Sequence, residues 1–191
     1  MTSPMANPSI AILVANGFDE NHITAVQRTM TKEKLTYKII APEQGLVNGW
    51  QNNAWGHYFT VDANVSNAMG SDYDLLILIG GERGVAKLKT NPHTRRIVNH
   101  FLEAQKPMAA IGAGVDLLTL SPKGAGLTVA APADCLEAVK TAQMVACEDA
   151  QCQDGLVLTS NGADVDAWMA ALMILASQAA REEDEAAAAA A

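Results

Sequence analysis

The sequence predicts a single α/β domain in which a mostly parallel sheet lies between layers of helices. Short apolar segments alternate with longer amphipathic segments along most of the 191 residues, and this alternation is typical of β-α-β units. Two of the short segments, 10–15 and 75–79, are apolar at every position, as strands in the middle of a parallel sheet are, because both of their faces are buried. The length suits one domain with one complete core.

The order of the elements follows from the same patterns. Strands are predicted at 10–15, 37–41, 75–79, 108–111 and 156–159, and helices at 23–34, 92–104, 115–120, 133–141 and 163–177. No repeat or linker divides the chain, so we expect one domain at 10–180 after a short N-terminal segment at 1–9. The acidic and all-alanine tail at 181–191 is a continuation of the last helix, a frayed end or a non-native addition, and we assign it no function.

Composition argues against several classes of protein. Apolar residues make up 49% and charged residues 18%, unlike a disordered chain, and no apolar run approaches the roughly 18 to 20 residues of a membrane span. The net charge of −8 comes without a basic stripe, so neither nucleic acid nor a membrane is an expected partner. Residues 1–9 lack the basic start of a signal peptide, and we expect a cytoplasmic protein.

The cysteines suit a reducing compartment better than a disulfide framework. Cys135, Cys147 and Cys152 are odd in number and follow no ordered spacing. No CxxC motif or nearby histidine accompanies the last two, so we expect no metal site. The sequence also indicates no cofactor. The turn at 112–114 is similar to the start of a dinucleotide-binding fingerprint, but the position of the third glycine is Leu117.

Glycine-containing turns follow four predicted strands, at 16–22, 80–84, 112–114 and 159–162. In a parallel sheet flanked by helices, ligands bind beyond the carboxyl ends of the strands, and glycine lets backbone N–H groups face a ligand there. Each turn taken alone is more simply explained by the need for a tight strand-to-helix connection. Three such turns on adjacent strands would form a pocket lined by backbone amides.

An aromatic segment at 49–59 interrupts the alternation and contains Trp50 and Trp55. Large aromatic side chains in a connection tend to form a pocket wall or a subunit interface, and we favour these roles over packing against the edge of the domain. We expect His57 in the same segment to form structural hydrogen bonds rather than to act as a ligand or a base.

Motifs of common nucleophilic enzymes are absent, since the chain has no GxSxG, P-loop or HExxH sequence. Four other segments, taken together, resemble the ThiJ/PfpI family within the class I glutamine amidotransferase-like group. They are YDLLILIGG at 73–81, KPMAAIGAG at 106–114, DGLVLTS at 154–160, and the segment at 49–56 that leads to Val61 and Asp62. Each motif alone is weak, whereas the ordered set, within 10–176, is specific.

The resemblance implies a flavodoxin-like α/β/α sandwich of three layers and a homo-oligomer, usually a dimer or hexamer. Family activities include glyoxalase, deglycase, peptidase or amidase, chaperone-like and oxidative-stress roles. The reactive group of the family is a cysteine on the strained turn after the AAI strand, and the matching position here is Gly112. A histidine commonly follows directly or precedes a proline at the next strand end, and those positions here are Ala113 and Ala131.

These replacements remove the nucleophile that the resemblance implies. A thiol at a helix N-terminus is activated as a thiolate, whereas Gly112 has nothing to activate. The family also places a glutamate at the start of the first helix, and His22 matches that position, with Asp19 and Glu20 as alternatives after a small shift in alignment. The C-terminal domain of large-subunit catalases is similar in lacking the cysteine on the same fold.

The resemblance implies that the anion-binding half of the family site is retained. In the family, backbone amides at the second glycine of the Gly-Gly turn and just after the nucleophile stabilise an oxyanion. These positions correspond to Gly81, which follows Gly80, and to Ala113. Backbone donors at a helix N-terminus attract a carboxylate, phosphate or sulfate whatever the side chains are.

The leading hypothesis is a self-associating binding or regulatory protein that holds a small anionic or carbonyl-containing ligand without covalent turnover. The alternative is a cysteine-independent hydrolase or lyase, of peptidase, amidase or glyoxalase/deglycase type, that uses His22 or Cys135. For both residues the simpler explanation is structural, a local hydrogen bond for the histidine and core packing for the cysteine. A third hypothesis makes Trp50 and Trp55 an assembly surface. The predicted ligand-binding residues are His22, Gly80, Gly81, Gly112, Ala113 and Ala131.

Overall fold

The computed structural model of the protein describes residues 7–190, apart from the side chains of 182–184 and 187. Most of the predicted N-terminal segment at 1–9 and the last residue of the tail lie outside the described residues.

A seven-stranded sheet runs through the middle of the domain. Every neighbouring pair of its strands is parallel except the pair at one edge. All five predicted strands belong to this sheet, so the expected mostly parallel sheet is confirmed. In spatial order the strands are β11 (Gln151–Asp154), β12 (Val157–Ser160), β8 (Met108–Ile111), β7 (Leu75–Leu78), β1 (Ile10–Leu13), β3 (Tyr37–Ala41) and β6 (Ala63–Asn64).

Two smaller sheets accompany the central one. The first consists of β2 (Phe18–Asp19), β4 (Leu46–Gln51) and β5 (Ala54–Thr60). The second pairs β9 (Thr128–Val129) with β10 (Val145–Ala146).

Helices cover both faces of the central sheet. One face carries α1 (Glu20–Lys32) and α5 (Val165–Ala189). The other carries α2 (Glu82–Thr90), α3 (Pro92–Glu103) and α4 (Leu136–Thr141). Within residues 7–190, no helix is both long and apolar enough to cross a membrane. Short 3-10 helices lie at Gly70–Asp72, Gly112–Leu120, Pro122–Gly124 and Ala133–Cys135.

The alternation of side chains along β1 explains why this strand is apolar throughout. Ile10 and Ile12 pack with the core beneath α1 and α5, while Ala11 and Leu13 pack with the core beneath α2 and α3. All four residues are buried, so neither face of the strand meets water. Complete burial of an isoleucine or leucine side chain contributes roughly 1.5–3 kcal/mol, and the three layers follow from burying both faces at once.

Several boundaries differ from the sequence predictions. The predicted helix at 23–34 begins at Glu20, because the Asp19 carboxylate caps it and accepts hydrogen bonds from the backbone N–H of Asn21 (3.0 Å) and His22 (3.3 Å). The predicted helix at 115–120 is part of a longer 3-10 segment. Helix α5 continues to Ala189, which corresponds to the first of the three interpretations of the tail.

Helix α2 is absent from the predicted elements. Its sequence is largely polar, and its buried residues are Gly84, Val85 and Leu88. A short helix with so few apolar positions has too weak a periodic pattern to be recognised from sequence.

The aromatic segment at 49–59 forms most of the antiparallel hairpin of β4 and β5, which lies over the start of α1. Glu20, which is 4% exposed, attaches the hairpin to the helix. Its carboxylate accepts hydrogen bonds from the His57 backbone N–H (2.8 Å) and from Gln51 Nε2 (3.1 Å), and it also contacts His57 Nδ1. A Cβ at Gly56 would overlap this carboxylate. His57 therefore forms structural hydrogen bonds, as the sequence predicts.

Two positions on α5 test how strongly burial on this face stabilises the fold. Leu172 is fully buried and Ile174 is 62% exposed. We expect Leu172→Ala to lower the free energy of unfolding by about 2–5 kcal/mol, and the matched control Ile174→Ala to lower it by less than about 0.5 kcal/mol. Urea denaturation followed by circular dichroism measures both values. Equal losses at the two positions would contradict the packing described for α5.

Candidate functional site

The four glycine-containing turns meet at one edge of the sheet. Strands β12, β8, β7 and β1 are successive neighbours, so the turns that follow them lie side by side. A cleft of about 820 Å³ opens at this edge. Its lining includes His22, Gly81, Gly112, Ala113 and Gly162.

Gly112 forms part of the cleft floor. It follows β8 directly and has a φ of +58°, in the left-handed region that favours glycine. A Cβ at this position would lie 3.1 Å from Cε1 of His22, with its other nearest neighbours at 3.8 Å and beyond. Any side chain placed on this turn would therefore lie against the imidazole ring.

The turn at Gly80 and Gly81 is packed against the backbone of the first turn. Asp19 N–H donates to the Gly80 carbonyl (2.8 Å). Gly81 has a φ of +106°, and a Cβ there would lie 2.5 Å from the Asp19 nitrogen and 2.7 Å from the Gly17 oxygen. Gly81 lines the cleft, whereas Gly80 is buried between its neighbours. The Gly-Gly pair thus brings the first and second turns into contact.

His22 lies above the glycine turns and is 8% exposed. Its Nδ1 is 3.8 Å from Asp19 Oδ2, and among the described residues this buried nitrogen has no hydrogen-bond partner. Burial lowers the pKa of His22, and the Asp19 carboxylate opposes this shift in part. The ring is therefore neutral at neutral pH and holds an unpartnered nitrogen beside the cleft floor.

Cys135 lines the same cleft but lacks the properties of a nucleophile. Its residue exposure is 6%. Burial raises the pKa of the thiol to about 11, and the carboxylates of Asp116 and Asp134 contribute to the increase. Such a thiol is almost entirely protonated at neutral pH, and the thiolate is the reactive form. The environment of Cys135 thus resembles that of a packing residue.

Ala131 and Ala113 occupy different positions relative to the cleft. Ala113 lines it, whereas Ala131 packs against the core and its neighbour Pro132 lines the cleft instead. No side chain at either position can transfer a proton.

The two hairpin tryptophans lie in different environments. Trp50 lines the cleft, and the Arg83 guanidinium lies over its ring at 4.1 Å from the centroid. Trp55 packs edge-on against Trp50 with ring centroids 5.2 Å apart and is 53% exposed. The structure therefore places Trp50 in the wall of the cleft and leaves Trp55 on the surface of the hairpin.

Carboxylates outnumber cations around the cleft. The acidic lining residues are Asp19, Glu82, Asp116 and Asp134, and the basic ones are Arg83 and Lys89. Lys89 Nζ forms a 2.7 Å ion pair with Asp116, while Arg83 is stacked on Trp50. Among the described residues, no three metal-binding side chains form a group that would hold an ion.

Asn53 and Lys89 are among the lining residues that the sequence predictions do not name. Asn53 lies in the hairpin turn, where Asn52 and Asn53 have φ values of 49° and 58°. An Asn-rich two-residue turn between aromatic strands is a recognised hairpin signal, so this residue was accessible to sequence reasoning. Lys89 belongs to α2, which the sequence pattern does not predict.

Comparison with known proteins shows the family. The model of the DJ-1/PfpI family matches residues 8–175. A ThiJ/PfpI domain protein from Brachyspira murdochii has a similar structure, with a TM-score of 0.77 at 16% identity, over 95% of this chain and 99% of that one. A single-residue mutant of DJ-1 from Schizosaccharomyces pombe gives a TM-score of 0.74 at 18% identity, over 90% of this chain and 91% of that one.

Among curated proteins, the chain is similar to Catalase-2 of Bacillus subtilis (strain 168). The two are 28% identical over an alignment of 127 residues, and the match covers 63% of this chain and 17% of the catalase. The chain spans only 16–17% of the length of the curated relatives that it matches. The family model matches most of the chain, and the chain has the flavodoxin-like α/β architecture. The chain therefore belongs to the DJ-1/PfpI family.

Proposed function

We propose that this protein is a non-catalytic member of its family, which binds a small carbonyl-containing ligand in the cleft without covalent turnover. The observation that carries the proposal is Gly112. A residue in a left-handed conformation follows β8 directly and lies beneath His22, at the position that the family resemblance assigns to a nucleophilic cysteine. Glycine retains the shape of that turn, relieves its strain and supplies no attacking atom.

The surroundings of Gly112 support binding by backbone donors. Gly81 and Ala113 both line the cleft, and the resemblance gives their N–H groups the role of stabilising a carbonyl oxygen. The imidazole of His22, which also lines the cleft, adds a second polar group beside them. A carbonyl compound with an adjacent N–H or O–H donor would match both features.

The charges of the cleft favour an uncharged ligand over an anion. Four carboxylates line the cleft, and both cations are engaged, Lys89 with Asp116 and Arg83 with Trp50. A negatively charged ligand would meet net repulsion here, because nearby like charges interact unfavourably and only partial screening by water is available in a cleft. Of the two ligand classes that the sequence suggests, the carbonyl class is therefore the better supported.

One observation favours the enzymatic alternative. His22 lines the cleft, and its lowered pKa keeps the ring neutral at neutral pH, as a general base requires. A hydrolase or lyase of glyoxalase/deglycase, peptidase or amidase type would use this histidine with a water molecule. Cys135 is less suited to that role, because its pKa of about 11 keeps the thiol protonated.

Self-association as a dimer or hexamer, a cytoplasmic location and a role in stress remain expectations from the sequence and its family resemblance. The exposed hairpin residues Trp55 and Tyr58 support an assembly surface on β5.

A pair of isosteric ligands tests the proposed binding mode. Pyruvamide and pyruvate differ chiefly in charge, so we expect pyruvamide to bind several-fold more tightly. Because Trp50 lines the cleft, saturable quenching of tryptophan fluorescence measures the two dissociation constants, and Trp50→Phe should remove the signal. Tighter binding of pyruvate, or unchanged quenching in the Trp50→Phe variant, would count against this cleft and its proposed ligand class.

Restoring a side chain at the turn tests the absence of a nucleophile. We expect Gly112→Cys and the control Gly112→Ala to lose a similar free energy of unfolding, about 1–3 kcal/mol, because both force a side chain into a left-handed turn. Only the cysteine variant should gain a thiolate near neutral pH, since its sulfur lies beside His22 and at a helix N-terminus. Absorbance at 240 nm measures the thiolate.

The same variants are then assayed with methylglyoxal. We expect turnover only in Gly112→Cys, with wild type and Gly112→Ala at the background rate. Wild-type turnover would overturn the non-catalytic proposal, and its loss in His22→Gln or Cys135→Ser would identify the residue that the alternative uses.

The pKa of His22 predicts a pH-dependent stability. In the folded protein this pKa lies below its unfolded value of about 6.5, so the unfolded chain binds the proton first as the pH falls. The contribution of neutral His22 to the free energy of unfolding is fully present above about pH 6.5, and it is lost as the pH falls through the folded pKa. Urea denaturation between pH 5 and pH 7.5 measures the free energy of unfolding. As the pH falls, this free energy should decrease less in His22→Gln than in wild type. Parallel pH profiles of wild type and variant would show that burial of His22 does not shift its titration.

A further inference from the structure

Two cysteines outside the cleft are attached to the same short strand. The backbone N–H of Cys147, which follows β10, donates to the Val129 carbonyl at 2.9 Å. Cys152 lies in β11, and its thiol donates to the Thr128 carbonyl at 3.5 Å. Because Thr128 and Val129 are the two residues of β9, the chain turns back between the cysteines and brings them to adjacent positions on one strand.

Both thiols are free and partly exposed, and each is hydrogen bonded to a backbone carbonyl, that of Cys147 within this turn and that of Cys152 on β9. Cys147 Sγ lies 3.7 Å from the Asp149 carbonyl within the turn, and Cys152 lies on the strand that follows it. The pKa of Cys152 is raised, first by burial and then by the neighbouring Cys147 thiol. The Cys147 thiol is therefore close enough to Cys152 to raise the pKa of Cys152.

We propose that Cys147 and Cys152 are a redox modification site, at which hydrogen peroxide or another small neutral hydroperoxide forms a reversible intramolecular disulfide. One thiolate attacks a peroxide oxygen, the O–O bond breaks, and the released hydroxide takes up a proton to leave as water. The sulfur becomes a sulfenic acid. The second thiolate then attacks this sulfur and expels its hydroxyl group as water. In total, two thiols and one hydrogen peroxide give one disulfide and two water molecules.

The charges at this site select the class of oxidant. Asp149 and Asp154 lie near Cys152 and contribute to its raised pKa, and Glu148 follows Cys147 directly. This acidic turn repels anionic oxidants such as glutathione disulfide, whereas uncharged hydrogen peroxide approaches freely. A raised thiol pKa also makes the reaction slow at neutral pH and faster in mild alkali, because only the thiolate attacks.

Hydrogen bonds connect this cysteine pair to the wall of the cleft. The Thr159 hydroxyl donates to the Cys152 carbonyl (3.2 Å) and accepts a hydrogen bond from the Ala130 N–H (2.9 Å). Ala130 directly precedes the segment 131–135, which contains Pro132, Asp134 and Cys135 of the cleft lining. A disulfide at Cys152 would therefore form on a strand that is hydrogen bonded, through Thr159, to the residue that precedes this cleft-lining segment.

Mass spectrometry after oxidation tests the proposal. The full-length reduced protein is treated with hydrogen peroxide at pH 7.0, 8.0 and 8.5, quenched with an alkylating reagent and digested with trypsin. Both cysteines lie in the peptide 141–181, which should lose 2 Da and regain it with dithiothreitol. A second cleavage at Asp149 should leave two fragments joined only by the disulfide. The oxidation rate should rise by about tenfold per pH unit while the pH is below the thiol pKa.

Three variants make the result specific. Cys147→Ser and Cys152→Ser should each abolish the 2 Da loss, whereas Cys135→Ser should retain it, because Cys135 is buried and is not part of the pair. Glutathione disulfide at the same concentration should react at least tenfold more slowly than hydrogen peroxide. The proposal is overturned if the peptide 141–181 stays reduced while Cys135 oxidises, if the disulfide forms only between two chains, or if glutathione disulfide is the faster oxidant. None of these readouts depends on ligand binding in the cleft.

Discussion

The close packing of His22 over the backbone of Gly112 is the constraint on which the candidate site depends. A Cβ at residue 112 would lie only 3.1 Å from Cε1 of the imidazole, and the turn beneath the ring has a left-handed conformation. This arrangement places a buried neutral ring, with a free nitrogen, over a floor made of glycine backbone. Under the proposed function, a cavity built in this way holds a ligand by hydrogen bonds, and residue 112 has no side chain for covalent attack.

The rest of the fold keeps this contact in place. Asp19 caps α1 and so fixes the first turn of the helix that carries His22, while its own N–H is bonded to Gly80. One residue further along, Glu20 holds the β4–β5 hairpin against the helix. Trp50 of that hairpin forms a wall of the cleft. The consecutive residues Asp19 and Glu20 therefore hold both the floor and the wall of the candidate site in place.

Much of this arrangement is visible in the sequence, and the reasons are physical. The central strands are recognisable because burial on both faces requires apolar residues at every position, and the four turns are recognisable by their glycines. Helix α2 has too few apolar positions to be seen, and the hairpin signal of Asn52 and Asn53 is short and easily passed over. The Lys89–Asp116 ion pair joins residues 27 positions apart, and no local pattern indicates which distant charges will meet. The charges on which the proposed preference for a neutral ligand rests could therefore be identified only from the structure.

The most direct test of the account is the reactivity of the native cysteines in the unmodified protein. Wild-type protein is treated with limiting iodoacetamide at pH 7, and the alkylation rate of each cysteine is measured by mass spectrometry against free N-acetylcysteine. With glycine at the turn and Cys135 at a pKa of about 11, we predict that none of the three reacts faster than the free thiol. A cysteine that reacts at least tenfold faster, and that pyruvamide protects, would reveal an activated nucleophile in the cleft and contradict the account.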